Sequence, residues 1–344
     1  LEAEAWFLKA AQQGYVRAQY HLGNHYWKGT FGTRDPLKAY TWFKQAADQE
    51  DLPAMDFLAN LLSGRLADLP KDVPYDPKGA YQLYLKAATK GFAPSQMFLG
   101  QTCILGRFRT REGWTTLEGL LKVDLPQARD WYLKAAAQGQ AGAYLQLGHL
   151  IVDYKFPTAD GAEAARYYQA AAQAGEPKSH HYLAELYRKG ELLPQNPSIA
   201  ADWAMKGMKK GVDECWGDLE NLLCDGPPDR KVLQAIETLA QEGHPKAAFW
   251  VGIAYLTAEN PENAWCIKHH PWAVRLVKTL GIQGDLDRGY ALLVQAAKGR
   301  VEVAYEFAVQ AYEEGLGGVT KDPAEAARWR ARRDAFEAWV HRVR

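Results

Sequence analysis

The nine residues "WYLKAAAQG", Trp131 to Gly139, join two aromatics, one lysine, a block of alanines and a glycine. The same phrase stands as "WFLKAAQQG" at Trp6, "WFKQAADQE" at Trp42 and "LYLKAATKG" at Leu83. Looser copies are "YYQAAAQAG" at Tyr167, "WAMKGMKKG" at Trp203, "AIETLAQEG" at Ala235 and "LLVQAAKG" at Leu292. Measured from the first alanine or its equivalent, the copies start at 10, 46, 87, 135, 171, 207, 239 and 296. The spacings are 36, 41, 48, 36, 36, 32 and 57 residues, so one unit recurs and the longer gaps are insertions.

A second segment of the form small-x-x-x-Leu-Gly-x-x-Tyr follows each phrase, most clearly in "AQYHLGNHYWKG" from Ala18 to Gly29. Ala18, Leu22 and Tyr26 recur at four-residue spacing and so share one helical face, and Gly23 suits a close helix crossing. Start signals come next: Asp35-Pro36, Asp76-Pro77, Asn196-Pro197 and Asp322-Pro323. An Asp or Asn cap satisfies free N–H groups, and Pro costs nothing at the first helical position. Gly14, Gly91, Gly139, Gly175 and Gly211 read as helix stops. The unit is a helical hairpin, repeated about eight times.

One hairpin cannot bury its aromatic face alone, so neighbours must stack. The expected fold is all-α, a right-handed superhelical α/α solenoid with a concave side. Residues 1–344 read as one such domain, with insertions near 106–124 and 257–285 and a C-terminal capping helix near 323–344. The column Trp6, Trp42, Leu83, Trp131, Tyr167, Trp203, Ala235, Leu292 and Trp329 reads as the core between repeats, with the alanines permitting close approach.

Charge gives no steer toward nucleic acid or an anionic membrane, since 41 basic residues balance 41 acidic ones. No run approaches the roughly 18 to 20 apolar residues that a membrane span needs. The chain starts at Leu1, inside what reads as the second helix of a hairpin, and a removed targeting segment fits such a start. Cys103, Cys215, Cys224 and Cys266 are too few for a disulfide scaffold at this length. Cys215 and Cys224 lie about 13 Å apart along one expected helix, beyond the ~7 Å a disulfide spans. Cys103 and Cys215 fall in core columns, where cysteine acts as a small hydrophobe.

A search for chemistry finds no Walker loop, no His-Glu-x-x-His and no Gly-x-Ser-x-Gly. "GLGGV" at Gly315 lacks a preceding strand and the lysine, and fits the repeat loop. His21 and His25 have the spacing of a metal pair, as do Cys266 and His269 beside His270. Neither set has further ligands in the sequence around it, so no metal, cofactor or catalytic residue is assigned.

What remains is a surface. Positions two, six and nine residues after the small residue form a stripe on each first helix, and the middle column is polar in seven of eight repeats. Tyr20, Asn24, Trp27, Asn60, Gln101, His181, Glu185, Arg188 and Phe249 come from this stripe. Mixed polar and aromatic residues are what a protein-binding face uses. The insertions add Trp114, in a segment with Arg107, Arg109 and Arg111, and Trp265 and Trp272. Long ordered insertions in repeat proteins usually sit on one face and are more often functional than average, and packing onto neighbouring repeats is the other use they have. The last segment, from Lys321 onward, carries seven basic and four acidic side chains, a net of +3 that fits a polar terminal cap.

The pattern A-x-x-W-(Y/F)-x-K-A-A-x-x-G, then A-x-x-x-L-G-x-x-Y-x-x-G, then G-V-x-x-D resembles the Sel-like repeat (SLR) family, relatives of tetratricopeptide repeats. "EEGLGGVTKDPAEAARW", Glu313 to Trp329, carries its loop almost whole; the match departs at the repeat from Val232 to Leu256, which lost the tryptophan, and at the two insertions. The resemblance implies a non-enzymatic scaffold that binds a protein partner and is monomeric alone. It also implies a bacterial, exported or periplasmic setting, and one family role is immunity against toxic lipases delivered by type VI secretion. Two alternatives stand beside it: an intracellular or envelope adaptor, and a weak β-lactam-hydrolysing enzyme. The second fits poorly, because the regular cysteine pairs of those relatives and a Ser-x-x-Lys motif are both missing.

Overall fold

Among the described residues, five helices begin at an aspartate or asparagine that makes two kinds of bond. The side chains of Asp35, Asp76, Asp124, Asn196 and Asp285 accept the backbone N–H three residues on. The backbone N–H groups of Asp35, Asp76, Asp124, Asn196 and Asp322 donate backward to the carbonyls of Tyr26, Leu62, Cys103, Tyr187 and Tyr312, at 2.8 to 2.9 Å. Each acceptor lies eight residues after the small residue of its repeat. One residue type thus closes the loop and opens the next helix.

The computed structural model describes residues 2–66, 68–154, 156, 160–262 and 268–343. They fall into two compact units, Leu1–Glu176 and Pro177–Arg344. The first holds α1 (Glu2–Gln12), α2 (Val16–Lys28), α3 (Pro36–Asp48), α4 (Leu52–Ser63), α5 (Pro77–Thr89), α6 (Ala93–Leu105), strands β1 (Phe108–Thr110) and β2 (Gly113–Thr115), α7 (Leu125–Ala136), α8 (Ala141–Val152) and α9 (Gly161–Gln173). The second holds α10 (Ser179–Lys189), α11 (Pro197–Lys209), α12 (Glu214–Cys224), α13 (Arg230–Gln241), α14 (Pro245–Glu259), α15 (Pro271–Leu280), α16 (Leu286–Lys298), a 3-10 turn (Glu302–Ala304), α17 (Tyr305–Glu314) and α18 (Pro323–Val343). Within each unit a helix packs mainly on its neighbour in sequence, the signature of an all-α repeat solenoid. One departure is α15, which lies against α14 and α12 while α14 packs on α16.

The core column is one residue later than the tryptophan column. Phe43, Tyr84, Tyr132, Tyr168, Ala204, Ile236 and Leu293 are at most 1% exposed. Trp42, Leu83, Tyr167 and Trp203 are half-buried, and Trp6 is 70% exposed; only Trp131 and Trp329 of the expected column's tryptophans are buried. The reason is helical geometry. In α3 the apolar face runs Ala39, Phe43, Ala46 and Ala47, at i, i+4, i+7 and i+8, which leaves Trp42 on the flank. There the repeated lysine finds a use. Lys9 lies over Trp6, Lys134 over Trp131 and Lys206 over Trp203, with Arg332 over Trp329, at 4.0 to 5.7 Å from ring centres.

The glycine of the second segment faces that buried column. A Cβ at Gly23 would stand 2.9 Å from the Phe43 ring, and one at Gly100 would stand 2.5 Å from the Tyr132 ring. At Gly148 it would come closer still to Tyr168, and at Gly252 it would meet Leu293 at 2.8 Å. α2, α6 and α8 each seat a large side chain of the next helix against their backbone, and α14 does the same for Leu293 of α16.

A further correction concerns the first insertion. Residues 108–115 form a two-stranded antiparallel hairpin, with Phe108 opposite Thr115, Arg109 opposite Trp114 and Thr110 opposite Gly113. The all-α expectation holds for every repeat but not for this segment.

Substitution Gly148→Ala tests the seat. Alanine favours helix by about 1 kcal/mol over glycine, whereas overpacking costs about 1–3 kcal/mol. Urea denaturation is expected to show a lower midpoint for Gly148→Ala. At Gly217, where no atom lies within 4 Å of an added Cβ, the same change should raise the midpoint or leave it unchanged.

Candidate functional site

In the first unit α4, α6 and the hairpin enclose a cleft of about 510 Å³. Its floor is apolar and aromatic. Phe98 stacks on Tyr84 with ring centres 3.8 Å apart, and Phe108 meets Phe98 edge-on at 5.5 Å. Met97, Leu105 and the exposed Trp114 extend these walls. Three exposed arginines rim it. The Arg65 guanidinium lies 4.6 Å over Phe98 and that of Arg107 lies 4.9 Å over Trp114; Arg109 is the third.

One carboxylate lines the cleft. Asp56 accepts from Ser95 Oγ at 2.6 Å and from Asn60 Nδ2 at 3.2 Å. Burial pushes its carboxyl above the usual range, while Ser95, Arg65 and Asn60 pull it back. Among the described residues, Arg65, Arg107 and Arg109 make no salt bridge.

The hairpin is placed by contacts distant in sequence. The Arg111 N–H donates to the Ser63 carbonyl at 3.2 Å, and the Arg111 guanidinium lies over Tyr75. The Tyr75 hydroxyl donates to Thr110 Oγ1 at 3.0 Å. Gly64, which caps α4 in the left-handed region at φ 68°, lies directly under Arg111: a Cβ there would stand 2.7 Å from that side chain. Phe108 and Thr110 point inward and are buried, which turns Arg109 and its cross-strand partner Trp114 outward.

Asn60, Gln101 and Trp114 thus come together in one cleft, joined by stripe members Asp56 and Met97. His181, Glu185 and Arg188 form a different cluster in the second unit. The His181 Nδ1 lies 2.7 Å from Oδ2 of Asp218, a carboxylate from α12 that is 2% exposed. Arg188 Nε stands 4.0 Å from its other oxygen, and Lys189 pairs with Glu185 at 2.8 Å. The bond to Asp218 raises the His181 pKa above the ordinary histidine value, against the opposing effect of burial. Burial raises the Glu185 pKa, but Lys189, His181 and Arg188 together outweigh it and hold the carboxyl low.

The other candidates are committed to packing. Tyr20 leans on Phe43, and the Asn24 amide donates to the Tyr20 carbonyl at 3.1 Å. Trp27 is held between Phe57 at 5.5 Å and the Arg34 guanidinium at 4.0 Å. Phe249 and Trp272 are corrected outright, being 8% and 9% exposed and offering almost no area to a partner. The cause is α15, whose Trp272 packs on Trp250 at 4.5 Å. Trp265 and Cys266 lie outside the described residues. His25 stacks between Phe7 and Phe31, and the free thiols of Cys103 and Cys215 are buried. Among the described residues no group of three or more His, Cys, Asp or Glu could hold a metal ion. No helix among them is long and apolar enough to cross a membrane.

Stripe counting missed Arg65, Phe98, Phe108 and Asp218. The alternation in Phe108-Arg109-Thr110 before a Glu-Gly turn is a strand signal, but three residues are too few to stand out.

The Sel1 repeat profile matches residues 1–15, 16–51, 53–92, 113–140, 143–176, 177–207 and 301–329, more than half of the chain. The unmatched stretches hold β1 and α15. No curated protein sequence matches. Among solved structures the chain is similar to c5321, a protective antigen of uropathogenic Escherichia coli strains displaying an SLR fold. That likeness has 22% identity and a TM-score of 0.54, over 98% of this chain and 68% of that one. It is similar as well to a Sel1 repeat protein from Oxalobacter formigenes, at 23% identity and a TM-score of 0.52 over 70% and 93% of the chains. A third, the immunity protein Pa5087 from Pseudomonas aeruginosa, has 17% identity and a TM-score of 0.35 over 82% and 81%. At these identities the first two likenesses concern the fold alone.

The His181 cluster carries a pH signature. A histidine whose folded pKa is raised stabilises the fold fully below its unfolded pKa of about 6.5, and that stabilisation is lost as pH rises through the higher folded value. The difference in unfolding free energy between the native chain and His181→Gln should therefore shrink over that window. An NMR titration should place His181 above about 6.5, and Asp218→Asn should move it down.

Proposed function

This chain belongs to the Sel1 repeat family, and on that premise we propose that it is a non-catalytic scaffold binding a partner protein in the cleft of α4, α6 and the β1–β2 hairpin. Protein interaction is the general work of Sel1 repeats. The observation that supports the cleft is its composition: Trp114, Phe98 and Met97 beside three arginines without salt bridges among the described residues. Aromatic residues and arginine dominate the centres of protein interfaces, where apolar area and directed hydrogen bonds coincide. The hairpin that completes the cleft departs from the repeat, and its anchoring through Ser63 and Tyr75 keeps it ordered before binding.

Neutralisation of a secreted antibacterial lipase is one form that such binding takes, and an exported, periplasmic location goes with it. This narrower role rests on the family resemblance. A growth assay tests it, with the chain expected to protect a bacterium in whose periplasm the lipase is produced. Failure to protect would leave the broader adaptor role.

The site itself is tested by a partner recovered from the native cell and cross-linked to the full chain. Cross-links should concentrate between residues 94 and 114, and Trp114→Ala should weaken binding about 30-fold, the effect of losing one hot-spot aromatic. Cross-links confined elsewhere, with unchanged affinity for Trp114→Ala, would remove the cleft as the docking site.

A further inference from the structure

We propose that the occupant of the cleft is an acidic segment of the partner, one apolar side chain seated among Met97, Phe98 and Trp114 while Arg65, Arg107 and Arg109 take the flanking carboxylates. The inference rests on the reading of the cleft as the docking site and adds the chemistry of what docks.

Charge complementarity carries it. The lining holds three arginines against one aspartate, a net of +2. That aspartate is already engaged, since Asp56 accepts from Ser95 and Asn60. Among the described residues no carboxylate forms a salt bridge with the three guanidinium groups, and only Arg65 feels the Asp56 charge. A chain with 41 basic and 41 acidic residues has enough acids to pair them, yet leaves them at one cleft.

Geometry sharpens the reading. Arg65 lies over Phe98 and Arg107 over Trp114, so an aromatic ring covers the apolar face of each guanidinium. Its N–H edge is left for a planar acceptor, and a carboxylate meets two such donors at once. Arg109 and Trp114 face each other across the hairpin, so a charged contact and an apolar one leave the same face together. An acidic residue next to an aliphatic or aromatic one matches that pairing. The walls distinguish this occupant from nucleic acid. A single strand needs a basic groove that tracks successive phosphates. Here the basic groups rim an apolar hollow and do not track a strand.

The test pans a random-peptide library, displayed on phage, against the full chain. Arg107→Gln/Arg109→Gln serves for counter-selection and an oligothymidine serves as competitor. Both arginines are exposed, so the double variant should keep its fold, and circular dichroism checks that it does. The expected winners carry two or more carboxylates around an apolar residue. They lose about ten-fold in affinity on the double variant, and weaken further at an ionic strength of about 0.5 M. Winners without carboxylates that bind the double variant equally but lose affinity on Trp114→Ala would overturn the acidic occupant and keep the cleft. Winners indifferent to all three substitutions, or none at millimolar peptide, would overturn both. Displacement of acidic winners only by oligothymidine, with the oligonucleotide the tighter ligand, would assign the cleft to nucleic acid instead.

Discussion

A glycine set against a large side chain fixes how close the two helices of a repeat can come. Gly23 faces Phe43, Gly100 faces Tyr132, Gly148 faces Tyr168 and Gly252 faces Leu293, with no room for a single added carbon. Close packing demands such complementarity, because an interior as dense as a crystal tolerates neither a void nor an overlap. Where the ring shrinks to Ala204, its helix packs on α10, which carries Ala184 at the glycine position, and both are fully buried. Where the glycine becomes Ala59, Tyr84 still belongs to the same core cluster. Alanines along the rest of each apolar face follow from the same short separation.

Loop closure is the second constraint, and it frees the loops for other work. The cap residue bonds backward to the carbonyl eight residues beyond the small residue, so both ends of the loop are held together whatever lies between. Lengthening a closed loop adds little entropic cost. The stretch before Asp124 holds a hairpin, yet Asp124 still bonds to Cys103 and still caps α7. A chemically distinct surface can therefore be added without disturbing the repeat that supports it.

Much of this was legible. Spacing identified the hairpin unit, and Asp-Pro and Asn-Pro pairs marked helix starts where the structure places them. Left-handed helix stops were legible at the glycines, although Glu50 and Arg300 adopt φ 66° at that position in two copies without being glycine. The core column was misplaced by one position in most repeats, since Trp42 and Phe43 look equally apolar in sequence and only the helix face separates them. Trp42 stays half-buried on the flank, while Phe43 goes to the interior. The candidate surface was legible only in part. Asn60, Gln101 and Trp114 share a cleft, whereas His181, Glu185 and Arg188 surround the buried Asp218 of another helix. Phe249 and Trp272 looked like exposed aromatics because nothing local reveals that α15 folds back over α14.

The sequence by itself determined the repeat, the class of fold, the helix ends and the small-against-large pattern at each interface. All of these are set by residues within a few turns of one another, where periodicity and capping act. Tertiary structure alone decided which aromatic of each pair is core, where the hairpin docks, and which polar residues meet. Those outcomes depend on contacts such as Arg111 with Ser63, Tyr75 with Thr110 and His181 with Asp218. Their energies exist only once distant segments touch, and no local pattern of residue types encodes them.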